Sequence, residues 1–155
     1  MTDMKKNNVP YNPSSPHLRV MIFGTFDIIH GGHIHMFKEA REYGDKLIAV
    51  VARDINVERI KEYGSLHSEQ ERLEFLTHID LIDEVVLGDE TDVYKVIQDQ
   101  KPDVIALGYD QKIYVDELEN AITKFGLNTR IVKLTPYREG ELKTNKIRKY
   151  IERLV

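Results

Sequence analysis

The chain has 155 residues, of which 41% are hydrophobic and 31% charged, and its formal net charge is −4. This length suits one domain with a proper core, and the slightly acidic balance argues against a general binder of nucleic acids or anionic membranes. The absence of cysteine excludes a disulfide framework, a thiolate zinc site and a cysteine nucleophile. No apolar run reaches the ~20 residues that span a bilayer. The N-terminus lacks an apolar signal core, so we expect a cytoplasmic protein.

Residues 1–17 differ in composition from the rest of the chain. They are polar, and three prolines and several asparagines interrupt any periodic pattern. Such a composition is typical of a flexible arm. We therefore predict an arm over residues 1–17 and one folded domain over residues 18–155.

From residue 18 onward, apolar runs alternate with amphipathic patterns. The runs predict strands over residues 18–23, 46–52, 84–87, 104–107 and 129–134. The spacing of apolar side chains predicts helices over residues 33–43, 57–61, 68–79, 93–97 and 118–125, and a last helix from Thr144. Asp54, Thr91 and Thr144 are predicted to cap three of these helices, and Ser68 with Glu71 forms a capping box.

This alternation predicts a parallel sheet with right-handed crossovers, and continuous apolar strands fit a sheet that is covered on both faces. We therefore predict an α/β fold: a Rossmann-like doubly wound parallel sheet of about five strands with helices on both faces. Ligands of such folds bind beyond the carboxyl ends of the strands. Polar and charged residues gather at those ends, in the segments 25–33, 53–54, 88–89, 108–111 and 135–144.

The ten residues 24–33, GTFDIIHGGH, lie between the first predicted strand and the first predicted helix. A strand, a glycine-bearing turn and a helix start form a site for phosphate, because backbone N–H groups at a helix N-terminus point at the anion. The turn lacks Gly-x-Gly-x-x-Gly and the Walker pattern, which argues against a dinucleotide fingerprint and a kinase-type P-loop. Its imidazoles, His30 and His33, suit a phosphoryl group that gains charge in a transition state. Two histidines beside three glycines at this edge favour such a site over a merely structural turn.

The same ten residues resemble the signature of the nucleotidylyltransferase family, which combines a Gly-Thr-Phe-Asp opening with a His-x-Gly-His core. The resemblance extends from about residue 18 to the C-terminus. It implies that a phosphate oxygen of an acceptor attacks the α-phosphorus of a nucleoside triphosphate in line, with release of pyrophosphate. Catalysis would then consist mostly of positioning and electrostatics, and Mg²⁺ would accompany the triphosphate, held mainly by phosphate oxygens and water.

The resemblance also implies roles for individual residues. The predicted catalytic residues are His30, His33, Lys61 and Arg72, of which Lys61 contacts phosphates and Arg72 faces the acceptor. The residues predicted to bind the nucleotide are Gly24, Thr25, Phe26, Gly32, Gly108, Tyr109, Asp110, Gln111, Lys143 and Thr144. Those predicted to bind the acceptor are Asp27, Arg53, Asp54 and Arg138. His35, just past the core motif, is expected to have a packing or solvated role. We expect a homodimer from the resemblance, with no nucleic-acid or membrane partner.

Two segments bear on the substrates. Residues 51–57 and 107–111 resemble stand-alone FAD synthases, which favours ATP and FMN. Asp110 and the pair at residues 139–140 also match glycerol-3-phosphate cytidylyltransferases, so CTP with glycerol 3-phosphate stays open, as does a sugar-phosphate adenylyltransferase. Lys143 stands where the family usually has serine, which leaves the choice of base open. This departure also keeps open a non-catalytic nucleotide-binding module.

Overall fold

One five-stranded sheet organises the computed structural model, which describes residues 17–112, 115–137 and 144–155. Its strands are β1 (Arg19–Gly24), β2 (Lys46–Val51), β3 (Glu84–Leu87), β4 (Val104–Leu107) and β5 (Arg130–Lys133). All neighbours pair in parallel, in the order β3-β2-β1-β4-β5. The chain adds strands on one side of β1 and then restarts on the other side with β4. The strand order therefore reverses between β1 and β4, where open α/β sheets bind their ligands.

Helices cover both faces of this sheet. The helices of the described residues are α1 (Gly31–Arg41), α2 (Asp54–Ile60), α3 (Glu69–Thr77), α4 (Lys95–Gln100), α5 (Leu118–Lys124) and α6 (Thr144–Leu154). Val20 and Ile22 of β1 belong to the core on the side of α1 and α3, whereas Met21 belongs to the core on the side of α4 and α5. The prediction of a doubly wound, Rossmann-like parallel sheet is thereby confirmed. Within the described ranges, no helix combines the length and apolarity that a bilayer crossing requires.

The predicted strands and helices are present, with bounds that agree with the prediction or differ from it by a few residues. The capping box before α3 is also present: Oγ of Ser68 accepts the N–H of Glu71 at 3.2 Å, and the Glu71 carboxylate accepts the N–H of Ser68 at 2.9 Å. The prediction that Asp54 caps α2 is wrong, because Arg53 is the N-cap and Asp54 is the first helical residue. The Asp54 carboxylate instead accepts a hydrogen bond from Arg72 at 2.7 Å.

The helix after β3 also begins differently. Tyr94, rather than Thr91, is the N-cap of α4. The Asp89 carboxylate accepts the backbone N–H groups of Thr91 and Asp92 at 3.0 and 2.8 Å, so these residues form a side-chain turn ahead of the helix. The predicted arm, apart from His17, lies outside the described residues and stays a prediction.

Candidate active site

His30 and His33 form a hydrogen-bonded pair at the start of α1. Nδ1 of His30 accepts the N–H of Gly32 at 3.1 Å, and Nδ1 of His33 accepts the N–H of His30 at 3.2 Å. The two ring centroids are 4.0 Å apart. Because each Nδ1 atom accepts a hydrogen bond, each neutral ring carries its proton on Nε2. Both rings therefore offer an Nε2–H donor to a ligand at the helix N-terminus.

The surroundings keep this pair uncharged. Burial, helped by the charges of His30 and Lys61, lowers the pKa of His33 from 6.5 to about 4. Burial also lowers the pKa of His30. At neutral pH both rings are thus neutral donors, and the first turn of α1 adds the positive end of the helix dipole. Donors of this kind stabilise a developing negative charge without first having to take up a proton.

Phe26 supports the imidazole pair from below. Its backbone has a φ of +54°, an uncommon conformation for a residue other than glycine, and its ring is buried. The ring lies over Gly24, where an added Cβ would come within 2.7 Å of its Cζ atom. Its centroid is 5.8 Å from those of both His33 and Phe37. Gly24 and Phe26 therefore build the floor of the site, and their predicted contact with a nucleotide stays a prediction.

Arg72 ties the ends of two strands together from a fully buried position. Its guanidinium donates to the carbonyl oxygens of Thr25, Ala52 and His67 at 2.8, 2.9 and 3.2 Å, and to the carboxylate of Asp54 at 2.7 Å. Thr25 follows β1, and Ala52 follows β2. A planar guanidinium can meet several acceptors at once, and here it holds the backbone of the site. The predicted contact of Arg72 with the acceptor stays a prediction.

Asp27 also holds backbone. Its buried carboxylate accepts the N–H groups of Leu66 and His67 at 2.7 and 2.9 Å and lies 3.2 Å from Nδ1 of His67. Burial alone would raise the pKa of Asp27, but these hydrogen bonds and the charge of His67 outweigh burial and lower it. The carboxylate thereby holds the segment at residues 65–68 close to the motif at residues 24–33. His67, which the sequence did not single out, shares this role.

Arg53 and Asp54 join a second network at the end of β2. Arg53 donates to Glu69 at 3.1 Å and to Glu90 at 2.9 Å. The N–H of Asp54 donates to the Glu69 carboxylate at 2.7 Å, and the N–H of Glu69 donates back to Asp54 at 3.1 Å. These side chains link β2 to α3 and to the loop after β3. Their predicted contact with an acceptor stays a prediction.

Gln111 bridges β1 and β4, the two strands between which the strand order of the sheet reverses. Its Oε1 accepts the N–H of Gly108 at 2.8 Å, and its Nε2 donates to the carbonyl of Phe23 at 2.7 Å. The paired residues of β1 and β4 end at Met21 and Ile105. The side-chain amide thus continues the connection between these strands where their backbones separate. The half-buried Tyr109 and the exposed Asp110 lie on the same turn, beside the predicted nucleotide site.

Lys61 brings a positive charge to the histidine pair. It directly follows α2, and its charge contributes to the lowered pKa of His33. Burial, together with the charges of Arg148 and Arg72, lowers the pKa of Lys61 itself, while the charge of Asp27 opposes them. An ammonium beside two neutral donors forms a local anion site, and the predicted contact of Lys61 with a phosphate stays a prediction.

Beside Lys61 the surface opens into a cleft of about 390 Å³, which residues 61–68 line together with Asp54 and Glu58. We call this the 61–68 cleft. Across the described part of the chain, no group of three or more His, Cys, Asp or Glu side chains could hold a metal ion.

The remaining predictions concern the segment that follows β5. Arg138 and Lys143 lie outside the described residues. A last helix is present, but Thr144 is its first residue rather than the residue before it, and the predicted contact of Thr144 with a nucleotide stays a prediction. His35 packs between elements: its Nε2 lies 3.2 Å from the Glu39 carboxylate and 3.3 Å from Oγ1 of Thr135. Glu39 in turn accepts the N–H of Thr135 at 3.0 Å, so α1 anchors the chain after β5.

Comparison with known proteins places this site among relatives. Residues 21–150 match the family model described as cytidylyltransferase-like. An FAD synthase of Aciduliprofundum boonei is 41% identical over 138 residues, which cover 89% of this chain and 91% of the relative. An FAD synthase of Thermoplasma volcanium is 40% identical over 139 residues, covering 89% and 96%. The crystal structure of a lipopolysaccharide core biosynthesis protein from Thermoplasma volcanium is 41% identical, covers 79% of this chain and 99% of that chain, and has a TM-score of 0.73.

Proposed function

This chain belongs to the cytidylyltransferase-like family, as the motif at residues 24–33 predicts, and we propose that it is an FAD synthase. Such an enzyme transfers the adenylyl group of ATP to the phosphate of FMN and releases pyrophosphate. The observation that carries the proposal is the pair of neutral imidazoles at the N-terminus of α1, each with an Nε2–H donor. The likeness to FAD synthases over nine-tenths of the chain supports FMN as the acceptor.

In this reaction the triphosphate lies over the first turn of α1. The Nε2–H groups of His30 and His33 donate to phosphate oxygens, and Lys61 offers its charge beside them. An oxygen of the FMN phosphate attacks the α-phosphorus, the bond from the α-phosphorus to the bridging oxygen breaks, and pyrophosphate leaves on the opposite side. No protein nucleophile takes part, so the rate depends on alignment and on the stabilisation of charge.

Mg²⁺ is part of the proposal as the companion of the triphosphate. It prefers oxygen ligands, keeps several waters and often binds through substrate phosphates. The ion would neutralise charge on the phosphates, while the imidazoles orient them.

A second candidate acceptor is a sugar phosphate. It is favoured by the similarity to the Thermoplasma volcanium protein whose crystal structure is named for lipopolysaccharide core biosynthesis. CTP with glycerol 3-phosphate is the third pair to be tested, since it shares the motif at residues 24–33. These pairs differ in acceptor size, because a flavin needs an apolar slot and glycerol phosphate needs a small basic one.

The experiment measures pyrophosphate release with ATP or CTP against FMN, glycerol 3-phosphate and a panel of sugar phosphates. Each pair is tested with Mg²⁺ and with an excess of chelator, and products are identified by chromatography. We expect FAD from ATP and FMN, and only with the metal. If another donor–acceptor pair gives a product and FMN gives none, that pair replaces the proposed substrates. If no pair releases pyrophosphate, the result favours a non-catalytic nucleotide-binding module.

The homodimer and the cytoplasmic location belong to the same proposal. The family resemblance supports the dimer, and ATP as the donor supports a location inside the cell. Light scattering on the purified full chain should give twice the 18.1 kDa of one copy. If the measured mass is that of one copy at the concentration used for the assay, the dimer is rejected and the proposed reaction is unaffected.

A further inference from the structure

We propose that the 61–68 cleft receives the isoalloxazine ring of the flavin acceptor, with Tyr63 and Leu66 as its apolar contacts. This inference rests on the proposed function and adds the location of the ring and the residues that select it. The acceptor would lie with its phosphate at Lys61 and its ring farther along the cleft.

The first observation is that two large apolar side chains of this cleft are left in solvent. The exposed fraction is 77% for Tyr63 and 70% for Leu66. Exposed apolar residues that stand alone need no explanation, but these two line one concavity together with Lys61. The rest of the lining is mostly polar or charged, so these two side chains are the large apolar surface that the cleft offers to a ligand.

The second observation is that the wall carrying these side chains is held in place. The Asp27 carboxylate accepts the N–H of Leu66 at 2.7 Å, and Oγ of Ser65 donates to the carbonyl of His67 at 2.9 Å. The guanidinium of Arg148 lies 5.9 Å from the centroid of the Tyr63 ring, a cation–π distance. The segment is therefore ordered before any ligand arrives, which reduces the entropic cost of binding.

The third observation is continuity with the site of phosphoryl transfer. Lys61 lines the cleft, and its charge also acts on His33. An acceptor phosphate at Lys61 would be next to the histidine pair, and the rest of the acceptor would extend toward Tyr63 and Leu66. The cleft thus begins where the attacking phosphate has to be.

The chemistry of the lining selects a flavin over a smaller acceptor. An isoalloxazine ring has an apolar dimethylbenzene edge and a pyrimidine edge with one N–H donor and two carbonyl acceptors. The cleft provides Tyr63 and Leu66 for the first, and Glu62, Ser65 and Ser68 for the second. Its volume of about 390 Å³ falls within the range of ligand sites. Glycerol phosphate would leave both apolar side chains uncovered.

The test compares Tyr63→Ala and Leu66→Ala with the wild-type protein. We expect each to raise the KM for FMN roughly tenfold through lost stacking and packing, while the KM for ATP and kcat at saturating FMN change less than twofold. Tyr63→Phe keeps the ring and should retain the wild-type KM. The matched control for Leu66→Ala is Leu18→Ala, which removes an exposed leucine just before β1, at the opposite end of the sheet from the motif.

A binding readout separates this inference from the proposed function. FMN fluorescence is quenched when the flavin stacks on an aromatic ring, so titration of FMN with protein reports binding without turnover. We expect strong quenching by the wild-type protein and weak quenching by Tyr63→Ala. Equal affinity of both proteins for FMN overturns the inference even if the enzyme makes FAD. Failure to make FAD overturns the proposed function, and failure of the wild-type protein to bind FMN overturns both.

Discussion

The backbone N–H of His30, the N-cap of α1, donates to Nδ1 of His33 across 3.2 Å, so the second histidine of the motif completes a capping box with the first. The same ring offers its Nε2–H to a ligand. His33 thus combines a structural task at one nitrogen with a proposed catalytic task at the other, and substitutions can separate the two.

Removal of the His33 ring should abolish most of the activity. We expect His33→Ala to lower kcat by a factor of roughly 10² or more, the scale seen when one transition-state donor is lost. Loss of the cap should also cost about 1 kcal/mol of stability, too little to unfold the domain. Steady-state kinetics with circular dichroism check this, and the control is His78→Ala at the exposed end of α3. Unchanged turnover would remove His33 from the mechanism.

His33→Asn separates the two nitrogens. The Oδ1 atom of asparagine can accept the N–H of His30 as Nδ1 does, but the short side chain offers no donor at the position of Nε2. We expect the free energy of unfolding to recover most of what His33→Ala loses, with kcat as low as in the alanine variant. If His33→Asn recovers kcat as well as stability, the capping hydrogen bond alone accounts for the effect of His33 on activity.

The low pKa of His33 makes stability depend on pH. Between pH 6.5 and about 4 the unfolded chain takes up a proton at His33 that the folded protein does not. The stability from this residue is therefore fully present above pH 6.5 and is lost as the pH falls toward 4, by at most about 3 kcal/mol. Urea unfolding of the wild-type protein and of His33→Asn at several pH values measures the difference. Parallel pH profiles for the two proteins would contradict the prediction.

Arg72 should be essential to the fold of the site. Its loss would leave the carbonyls of Thr25, Ala52 and His67 without their donor and Asp54 without its cation. The guanidinium is buried but the Asp54 side chain is partly exposed, so the main cost comes from the backbone carbonyls that lose their donor, about 3 kcal/mol in all.

We therefore expect Arg72→Ala to lower the free energy of unfolding by roughly that amount, as measured in urea. Arg72→Lys should recover little, because an ammonium cannot meet four acceptors in this geometry. The control is Arg59→Ala on the exposed side of α2. If Arg72→Ala lowers the free energy of unfolding no more than Arg59→Ala does, this role of Arg72 is ruled out.

Gln111 should influence nucleotide binding through the spacing of β1 and β4. Gln111→Glu keeps the acceptor for the N–H of Gly108 but replaces the donor to Phe23 with a second oxygen. The unpaired carbonyl and the repulsion should cost about 1–3 kcal/mol. Because the turn at residues 108–111 is the predicted nucleotide site, we expect the KM for ATP to rise while the KM for FMN is nearly unchanged. Gln98→Glu, exposed on α4, is the control, and equal KM values for ATP in both variants would exclude this role.

Much of the fold was readable from the sequence because its signals are local. The strand at residues 84–87 and the strand at 104–107 were predicted with their observed bounds, since each is a short apolar run that turn residues delimit. The motif at residues 24–33 is likewise contiguous, so its histidines, its glycines and the helix start could be assigned together. The Ser68–Glu71 capping box spans one helical turn and was predicted for the same reason.

The sequence by itself determined the class of fold, the family and the place of the histidine pair, because all three depend on residues near one another in the chain. Only the tertiary structure decided what Asp27, Arg72 and Gln111 hold. Their partners lie 39, 47 and 88 residues away, at Leu66, Thr25 and Phe23. A buried polar side chain binds whichever backbone group the packed sheet brings to it, and that neighbour is absent from its local sequence.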